Sequence, residues 1–415
     1  MNRPHVVIVG AGFGGLTAVR SLGQAPVDVT LIDQYNFHTF SPLLYQVATA
    51  GVAPDDIAPS VRGVVRREPN AEFVMDRVVG VDFDQRRVMV AHGEPIPYDY
   101  LILAAGAVSS DFGVPGVLEH ALHLKSLEDA IHVRTTVLRQ FEIADRNRAL
   151  VDDGALRIVV AGGGPTGVEL SGALAELFTK VLAKDFETLD VERAEVILIE
   201  ATGALLGQFS ESSQTEAVRE LEARGVEIRL DTPIASVDAD GVVLDDGTRI
   251  ESHAVVWCAG VKANPLADRL GLPQTARGEV RVNHDLSVAG RPEVFVIGDL
   301  AATTDHRGRP YPQLAPVAMQ QARHVARSIL RTRRGKNTRR FRYVDKGTMA
   351  TIGRRSAVAE LPLGIRLGGT LGWLSWLGLH LVFLVGFRNR LVVLVNWVWN
   401  YLTYDRGNRI IIPPE

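Results

Sequence analysis

Short uninterrupted runs of β-branched and aliphatic residues alternate along this chain with longer stretches of helical periodicity. His5–Val9 is the first such run; a glycine turn follows, then a helical pattern over about 14–22 and a second run, 27–32, ending at Asp33. The same order returns 152 residues later, as Arg157–Ala161, a glycine turn, a helical pattern over about 167–182, and Glu195–Ile199 ending at Glu200. Runs that are apolar at every position are strands covered on both faces, which predicts a doubly wound α/β architecture built twice. The runs 100–104, 254–258 and 294–297 read as further buried strands closing each sheet. The alternating stretches 234–237, 242–244 and 248–251 predict a hairpin meander, so Asp238-Ala239-Asp240-Gly241 and Asp245-Asp246-Gly247 are turns and not calcium loops.

The C-terminal part differs in kind. Residues 331–342 form a solvated basic stretch, 343–360 predict a strand or two, and 367–387 run for 21 residues without a formal charge. That length suffices to cross a bilayer. However, Gly368, Gly369, Thr370, Gly372, Ser375, Gly378, His380 and Gly386 dilute the run, and basic residues flank both ends. Crossing, lying flat on the surface, or packing as a buried intersubunit helix all remain open on this pattern. His380 reads as a polar-face or interfacial residue. The first strand opens at His5 with no leader pattern ahead of it, so a cytoplasmic N-terminus is expected.

Charge sharpens the division. The net charge of −3 conceals residues 323–415 with 17 Lys and Arg against 4 Asp and Glu, and an acidic remainder. A basic tail implies an anionic partner. Its cations are interleaved with Trp373, Trp376, Phe383, Phe387, Trp397, Trp399, Tyr401 and Tyr404 on apolar stretches, which is membrane-interface chemistry and not a nucleic-acid surface. Cysteine usage excludes more: one residue, Cys258, permits no disulfide scaffold, CxxC pair or enzyme relaying electrons through two thiols. The eleven histidines show no metal-binding spacing, so no metal is expected.

The chemistry lies in the glycine turns. Gly10-Ala11-Gly12-Phe13-Gly14-Gly15 is a GxGxxG turn between strand and helix, with Asp33 twenty-three residues after Gly10. The first glycine makes the tight turn, the second lets a pyrophosphate approach, the third lets helix and strand pack closely, and the acid accepts from a ribose diol. Gly162-Gly163-Gly164-Pro165-Thr166-Gly167 with Glu200 repeats it. Two such Rossmann-like domains in one chain suggest a bound flavin and a nicotinamide nucleotide exchanging a hydride. A carboxylate at Glu200 favours NADH over NADPH, since it would repel a 2′-phosphate.

With these turns in place, the chain resembles the type II NADH dehydrogenases, single-subunit NADH:quinone oxidoreductases of the two-dinucleotide-binding-domain (glutathione-reductase-like) flavoproteins. The resemblance runs through His38-Thr39-Phe40-Ser41-Pro42-Leu43-Leu44-Tyr45-Gln46-Val47-Ala48 and the blocks 98–106, 162–169, 255–260, 296–299 and 314–321, ending in the aromatic basic tail. It implies non-covalent FAD held by Gly10, Gly12, Phe13, Gly14, Gly15 and Asp33, with Val78 at the adenine, Gly106 in a backbone turn near the cofactor, Gly298 and Asp299 forming a second flavin motif whose aspartate bonds the ribityl chain, and Ala318 and Met319 by the flavin ring. It implies NADH at Gly162, Gly164, Pro165, Thr166, Gly167, Glu200 and Gly260. Quinone is expected near Pro316, Gln320 and Gln321, although Pro316 stands where many relatives carry glutamine. Glu169 has two readings: a first-turn carboxylate favoured by the helix dipole, or, by resemblance, the residue that delivers protons between nicotinamide and quinone.

The expected domains are 1–115 with 265–340 for FAD, 116–264 for NADH, and 341–415 as a membrane-anchoring helical region. The implied enzyme is a non-pumping homodimer held monotopically on the cytoplasmic face of the cell membrane by anionic lipid. A demethylnaphthoquinone reductase and an apoptosis-inducing-factor-like NADH-responsive protein are the alternatives.

Overall fold

The computed structural model describes residues 3–403 and 406–411; Tyr404 lies outside them, as do the side chains of Phe387 and Tyr401. The chain divides into two compact units. One comprises Met1–His38, Pro59–Val108 and Val261–Asp345, and the other Thr39–Ala58, Ser109–Gly260 and Lys346–Glu415.

In the first unit, β1 (His5–Val9) leads through the glycine turn into α1 (Phe13–Leu22) and on to β2 (Asp28–Asp33). β3 (Tyr100–Leu103) pairs on the other side of β1. The six-stranded sheet runs Ser287–Val288, Arg291–Val296, β3, β1, β2, Ala71–Met75, and all but the first of these are parallel. Val6, Val7 and Ile8 are wholly buried, which explains why the strand is an unbroken apolar run: helices lie over one face, while on the other Val7 and Val9 pack with Val88 and Tyr98 from the antiparallel strands that follow. One of those helices, Ala315–Thr332, packs on α1.

The second unit repeats the order. β4 (Arg157–Ala161), α2 (Pro165–Leu177) and β5 (Glu195–Ile199) are followed by β6 (Ala254–Trp257). Its five-stranded parallel sheet runs Val226–Arg229, β5, β4, β6, Leu122–His123. The meander forms as Ile234–Asp238, Gly241–Leu244 and Arg249–Glu251, with its acidic stretches in the turns. β7 (Thr348–Gly353) and β8 (Ser356–Glu360) form an antiparallel hairpin packed on α2.

The uncharged C-terminal run does not form one helix. α3 (Gly369–Phe383) stops, Gly386 takes φ +94°, and α4 (Phe387–Thr403) begins. Arg390 fixes the break by donating from Nε to the Leu384 carbonyl and from Nη2 to the Val382 carbonyl, both at 2.7 Å. Among the described residues, no helix is long and apolar enough to cross a membrane.

Candidate functional site: paired glycine turns and a carboxyl cleft

The two glycine turns are built alike. Gly10 and Gly162 have φ of +102° and +109°, a region that suits glycine. A Cβ on Gly15 would lie 1.8 Å from the Gly10 carbonyl oxygen, and one on Gly167 would lie 1.8 Å from that of Gly162. These glycines are therefore required by the protein's own packing. The middle glycines differ. Gly12 and Gly164 have ordinary φ of −70° and −71°, and a Cβ on either would meet nothing within 4 Å. Nothing in the polypeptide demands glycine there, whereas an anion resting on the helix N-terminus does. The cradle therefore fits a dinucleotide in each unit.

The acids are placed in parallel fashion. Asp33 accepts from the Ala11 N–H at 2.5 Å and the Tyr35 N–H at 2.8 Å, while Glu200 accepts from Gly163 N–H at 2.6 Å and Thr202 N–H at 2.9 Å. Burial raises the Asp33 carboxyl above its ordinary range, and the N–H bonds pull it back. A carboxylate has about four lone-pair sites, so each acid retains capacity for ribose hydroxyls.

In the first unit, Gly298 (φ +70°) and Asp299 line a cleft with Leu314 and Val317. Ala318 packs beside Gly298, Val78 opens the strand Val78–Asp82, and Gly106 holds φ +69° next to the carbonyl of Ala105, which accepts from Asn264. Pro316 lies in the first turn of its helix, where a missing N–H removes no intrahelical bond, so the departure from glutamine is structurally neutral. The two glutamines are engaged by the protein itself. Gln321 is fully buried, accepts from the Gly298 N–H at 2.6 Å and donates to Thr303 Oγ1, while Gln320 pairs through both amide atoms with the Val344 backbone.

Glu169 belongs to the second unit, and the first-turn reading of it does not hold. α2 begins at Pro165 and has no acidic residue in its first turn. Glu169 lies one turn further, in a cleft whose lining includes Tyr45, Gln46, Thr351, Trp373, Trp397 and Arg406. Burial pushes its carboxyl up to about 8, while the Thr351 N–H, 3.3 Å from Oε1, and the facing Trp376 indole draw it part of the way back. Glu176, two turns along the same face of α2, lies 3.7 Å from Arg406 Nη2. Arg406 also donates to the Thr49 carbonyl at 2.8 Å, and Trp397 Nε1 donates to Gln46 Oε1 at 2.8 Å. The cleft therefore joins an apolar aromatic wall to a protonated carboxyl, which suits a flat, polar-headed, apolar-tailed ligand.

His380 turns inward and not onto a polar face. It stacks on Trp376 with ring centroids 4.0 Å apart and meets Phe40 edge-on, and burial lowers its pKa to about 4. Cys258 follows β6, and burial pushes its thiol up to about 12, so no thiolate is present to relay electrons. Gly260, at φ +156°, leaves room for the Phe112 ring. Among the described residues, no three or more His, Cys, Asp or Glu come together in a group that could hold a metal.

The tail helices present an inverted surface. On α4, Asn396, Trp397 and Asn400 bond to Asp56, Gln46 and the Gly51 carbonyl, while Leu391, Leu394, Val395 and Val398 point outward, 41–57% exposed. On α3, Gly372 and Trp376 are buried, and Leu371, Leu374, Leu379 and Val382 are exposed.

Residues 4–322 match the pyridine nucleotide-disulphide oxidoreductase family, and residues 346–404 match the NDH2 C-terminal domain. The chain is 39% identical to the type II NADH:quinone oxidoreductase Ndh of Mycobacterium tuberculosis, over 99% of this chain and 90% of that protein. It is 31% identical to the type II NADH:quinone oxidoreductase of Staphylococcus aureus, over 86% of this chain and 89% of that one. In fold it is similar to NDH2 from Plasmodium falciparum, solved in complex with NADH, with a TM-score of 0.91 at 19% identity, covering 99% of this chain and 100% of that one.

Proposed function

This chain belongs to the type II NADH:quinone oxidoreductases, and from that membership we propose how its own residues carry the reaction. The enzyme oxidises NADH and reduces a quinone without pumping protons. Its FAD, when bound, accepts a hydride from the nicotinamide and releases two electrons to the quinone.

The observation that carries the assignment of residues is the pair of glycines, Gly12 and Gly164, with no protein atom within 4 Å of a built Cβ. FAD is assigned to the turn 10–15 with Asp33, with Val78, Gly106, Gly298, Asp299, Ala318 and Met319 along the remainder of the cofactor. NADH is assigned to the turn 162–167 with Glu200 and Gly260. On this reading residues 1–115 and 265–340 serve FAD, 116–264 serve NADH and 341–415 serve the membrane. Glu200 selects NADH: its carboxylate bonds ribose hydroxyls and repels a 2′-phosphate. Glu200→Ala is expected to lower the NADH-over-NADPH ratio of kcat/KM by about 10- to 100-fold, measured by steady-state kinetics with both nucleotides; an unchanged ratio would sink the assignment.

The quinone head is placed in the cleft that Glu169 lines, because a quinone taking two electrons also needs two protons. The carboxyl, held protonated by burial, donates one to a quinone oxygen and is reprotonated from the mouth of the cleft, and the other is the proton that came with the hydride of NADH. Gln320, Gln321 and Pro316 belong to the first unit, where both amides are already bonded within the protein, so a place for them at the quinone rests on the resemblance alone.

The outward apolar residues of α3 and α4 seat the enzyme on one leaflet, their basic flanks against anionic lipid, on the cytoplasmic face. Burying one large aliphatic side chain is worth about 1.5–3 kcal/mol. Leu374→Glu, Val395→Glu and Val398→Glu together should therefore weaken co-sedimentation with anionic vesicles at least about 100-fold and leave NADH:menadione activity standing. Undiminished co-sedimentation would contradict the seat. Pairing of two copies is proposed on the resemblance, with mass in detergent as its test.

A further inference from the structure

Phe112 is a residue to which the reading above gives no task. Among the phenylalanine side chains described it alone is exposed, at 66%, and its backbone lies in the left-handed region, φ +51°, which bulky residues seldom adopt. The segment is nevertheless held in place. The Ser110 N–H donates to the Gly260 carbonyl at 3.0 Å, the Trp257 indole N–H donates to the Ser110 carbonyl at 2.7 Å, and the Phe112 N–H donates to Ser110 Oγ at 3.3 Å. The ring itself rests on Gly260, where a Cβ would lie 2.8 Å from its Cζ and 3.0 Å from its Cε2. Both are edge atoms, so the contact uses one edge of the ring and leaves the rest of the side chain to solvent. An apolar ring held out into water on a strained backbone adds little to the fold, and such features cluster at ligand sites.

Its position says which ligand. The sheet order puts β5 and β6 on opposite sides of β4, so the segments that follow their C-terminal ends stand in a row: Glu200 after β5, the turn 162–167 after β4, and Cys258, Ala259 and Gly260 after β6. The row is closely packed, since a Cβ on Gly162 would lie 2.6 Å from the Ala259 Cα. Ligands of such sheets lie across these strand ends, with the pyrophosphate at the glycine turn and one ribose on the acid. A dinucleotide whose adenosine ribose meets Glu200 therefore carries its other half past β4 towards the end of β6, where the Phe112 ring stands. We infer that Phe112 is a binding residue for NADH and packs against the nicotinamide half of the substrate. The inference rests on the placement of NADH at the turn 162–167. An aromatic ring suits that half, because it offers a flat apolar surface already fixed along one edge.

The test is the loss of visible flavin absorbance when the holoenzyme is mixed with NADH without oxygen, timed over a range of NADH concentrations, with ADP as competitor and thermal melts reporting the fold. Phe112→Gly removes the ring and suits the left-handed backbone. It should keep the wild-type melting temperature and need about tenfold more NADH for the half-maximal rate. Phe112→Tyr keeps the ring and should stay near the wild type. ADP, which lacks the nicotinamide half, should inhibit Phe112→Gly and the wild type with the same inhibition constant. ADP-ribose adds only the second ribose: an equal constant in the two proteins puts Phe112 on the nicotinamide ring, and a weaker one in the variant puts it on the ribose. Half-saturation of Phe112→Gly at the wild-type NADH concentration overturns the inference, and so does an equal loss for NADH and ADP, which would make the ring a mere support for the turn. Should Phe112→Gly fail to fold, Phe112→Asn, which also accepts a left-handed backbone, carries the same expectations and the same refutations. ADP that fails to compete with NADH, or that Gly164→Val still binds, would mean that the placement of NADH is wrong, whereas normal competition by ADP beside unchanged NADH half-saturation in Phe112→Gly would sink the inference alone.

Discussion

Glu169→Gln lowers steady-state NADH:quinone turnover by about 100-fold, the lower end of what a positioned general acid contributes, and removes the alkaline limb of its pH profile. The sign follows from the direction of the shift. Burial lifts the carboxyl from its usual range to about 8, so the donor is protonated at neutral pH and is lost as the pH rises through that value. Wild-type turnover should therefore fall above about pH 8, while the variant, with no proton to lose, shows a low and flat profile. Stability moves with the same residue. Between the unfolded carboxyl's range and about 8, the folded state holds a proton that the unfolded chain has released, so stability conferred at low pH is lost as the pH rises across that window. Glu169→Gln should flatten this dependence and raise the melting temperature at pH 8 relative to the wild type. A variant with full turnover and an unchanged pH profile would show that the quinone receives its proton elsewhere.

Gly12→Val and Gly164→Val should each abolish activity, by more than about 100-fold, and by different routes. Neither position has a neighbour within 4 Å or a backbone conformation that valine avoids, so both variants should fold. Gly12→Val should purify without flavin. Gly164→Val should purify yellow, with a flavin that dithionite reduces and NADH does not. Gly15→Ala is the control for packing: its methyl would lie 1.8 Å from the Gly10 carbonyl oxygen, and it should destabilise the protein whether or not a ligand is present. Absorbance spectra and thermal melts separate the three. Flavin retained in Gly12→Val, or NADH reduction retained in Gly164→Val, would contradict the assignment of the two turns.

The parts of the molecule legible in the sequence are those built from neighbouring residues. A strand, a glycine turn, a helix and an acid ending the next strand occupy one short segment, so Gly10 to Asp33 and Gly162 to Glu200 announce themselves. The meander of Ile234–Asp238 and its partners is legible for the same reason. The cleft is not. Tyr45, Glu169, Thr351, Trp397 and Arg406 are brought together only by the packing of Leu44–Ala48, α2, the β7–β8 hairpin, α4 and the segment after α4, and no spacing along the chain records it. The same packing decides Glu169. Its place near a helix start suggests a dipole-stabilised carboxylate, whereas burial makes it a protonated acid. The tail shows the opposite failure: 21 uncharged residues suggest one long element, but Gly386 and the carbonyl contacts of Arg390 divide it. What escapes the hydropathy count is orientation, since asparagines that look solvent-facing are turned into the protein and the aliphatic residues are left outside.

Rapid mixing without oxygen separates the two halves of the reaction and bears directly on the place of Glu169. Enzyme is first mixed with NADH, and the loss of visible flavin absorbance is timed; a quinone is then added, and its return is timed, in the wild type and in Glu169→Gln. The flavin should be bleached by NADH at the same rate in both proteins and restored by quinone about 100-fold more slowly in the variant. Equal rates of restoration, or a defect confined to the NADH step, would contradict the assignment of Glu169 as the proton donor to the quinone.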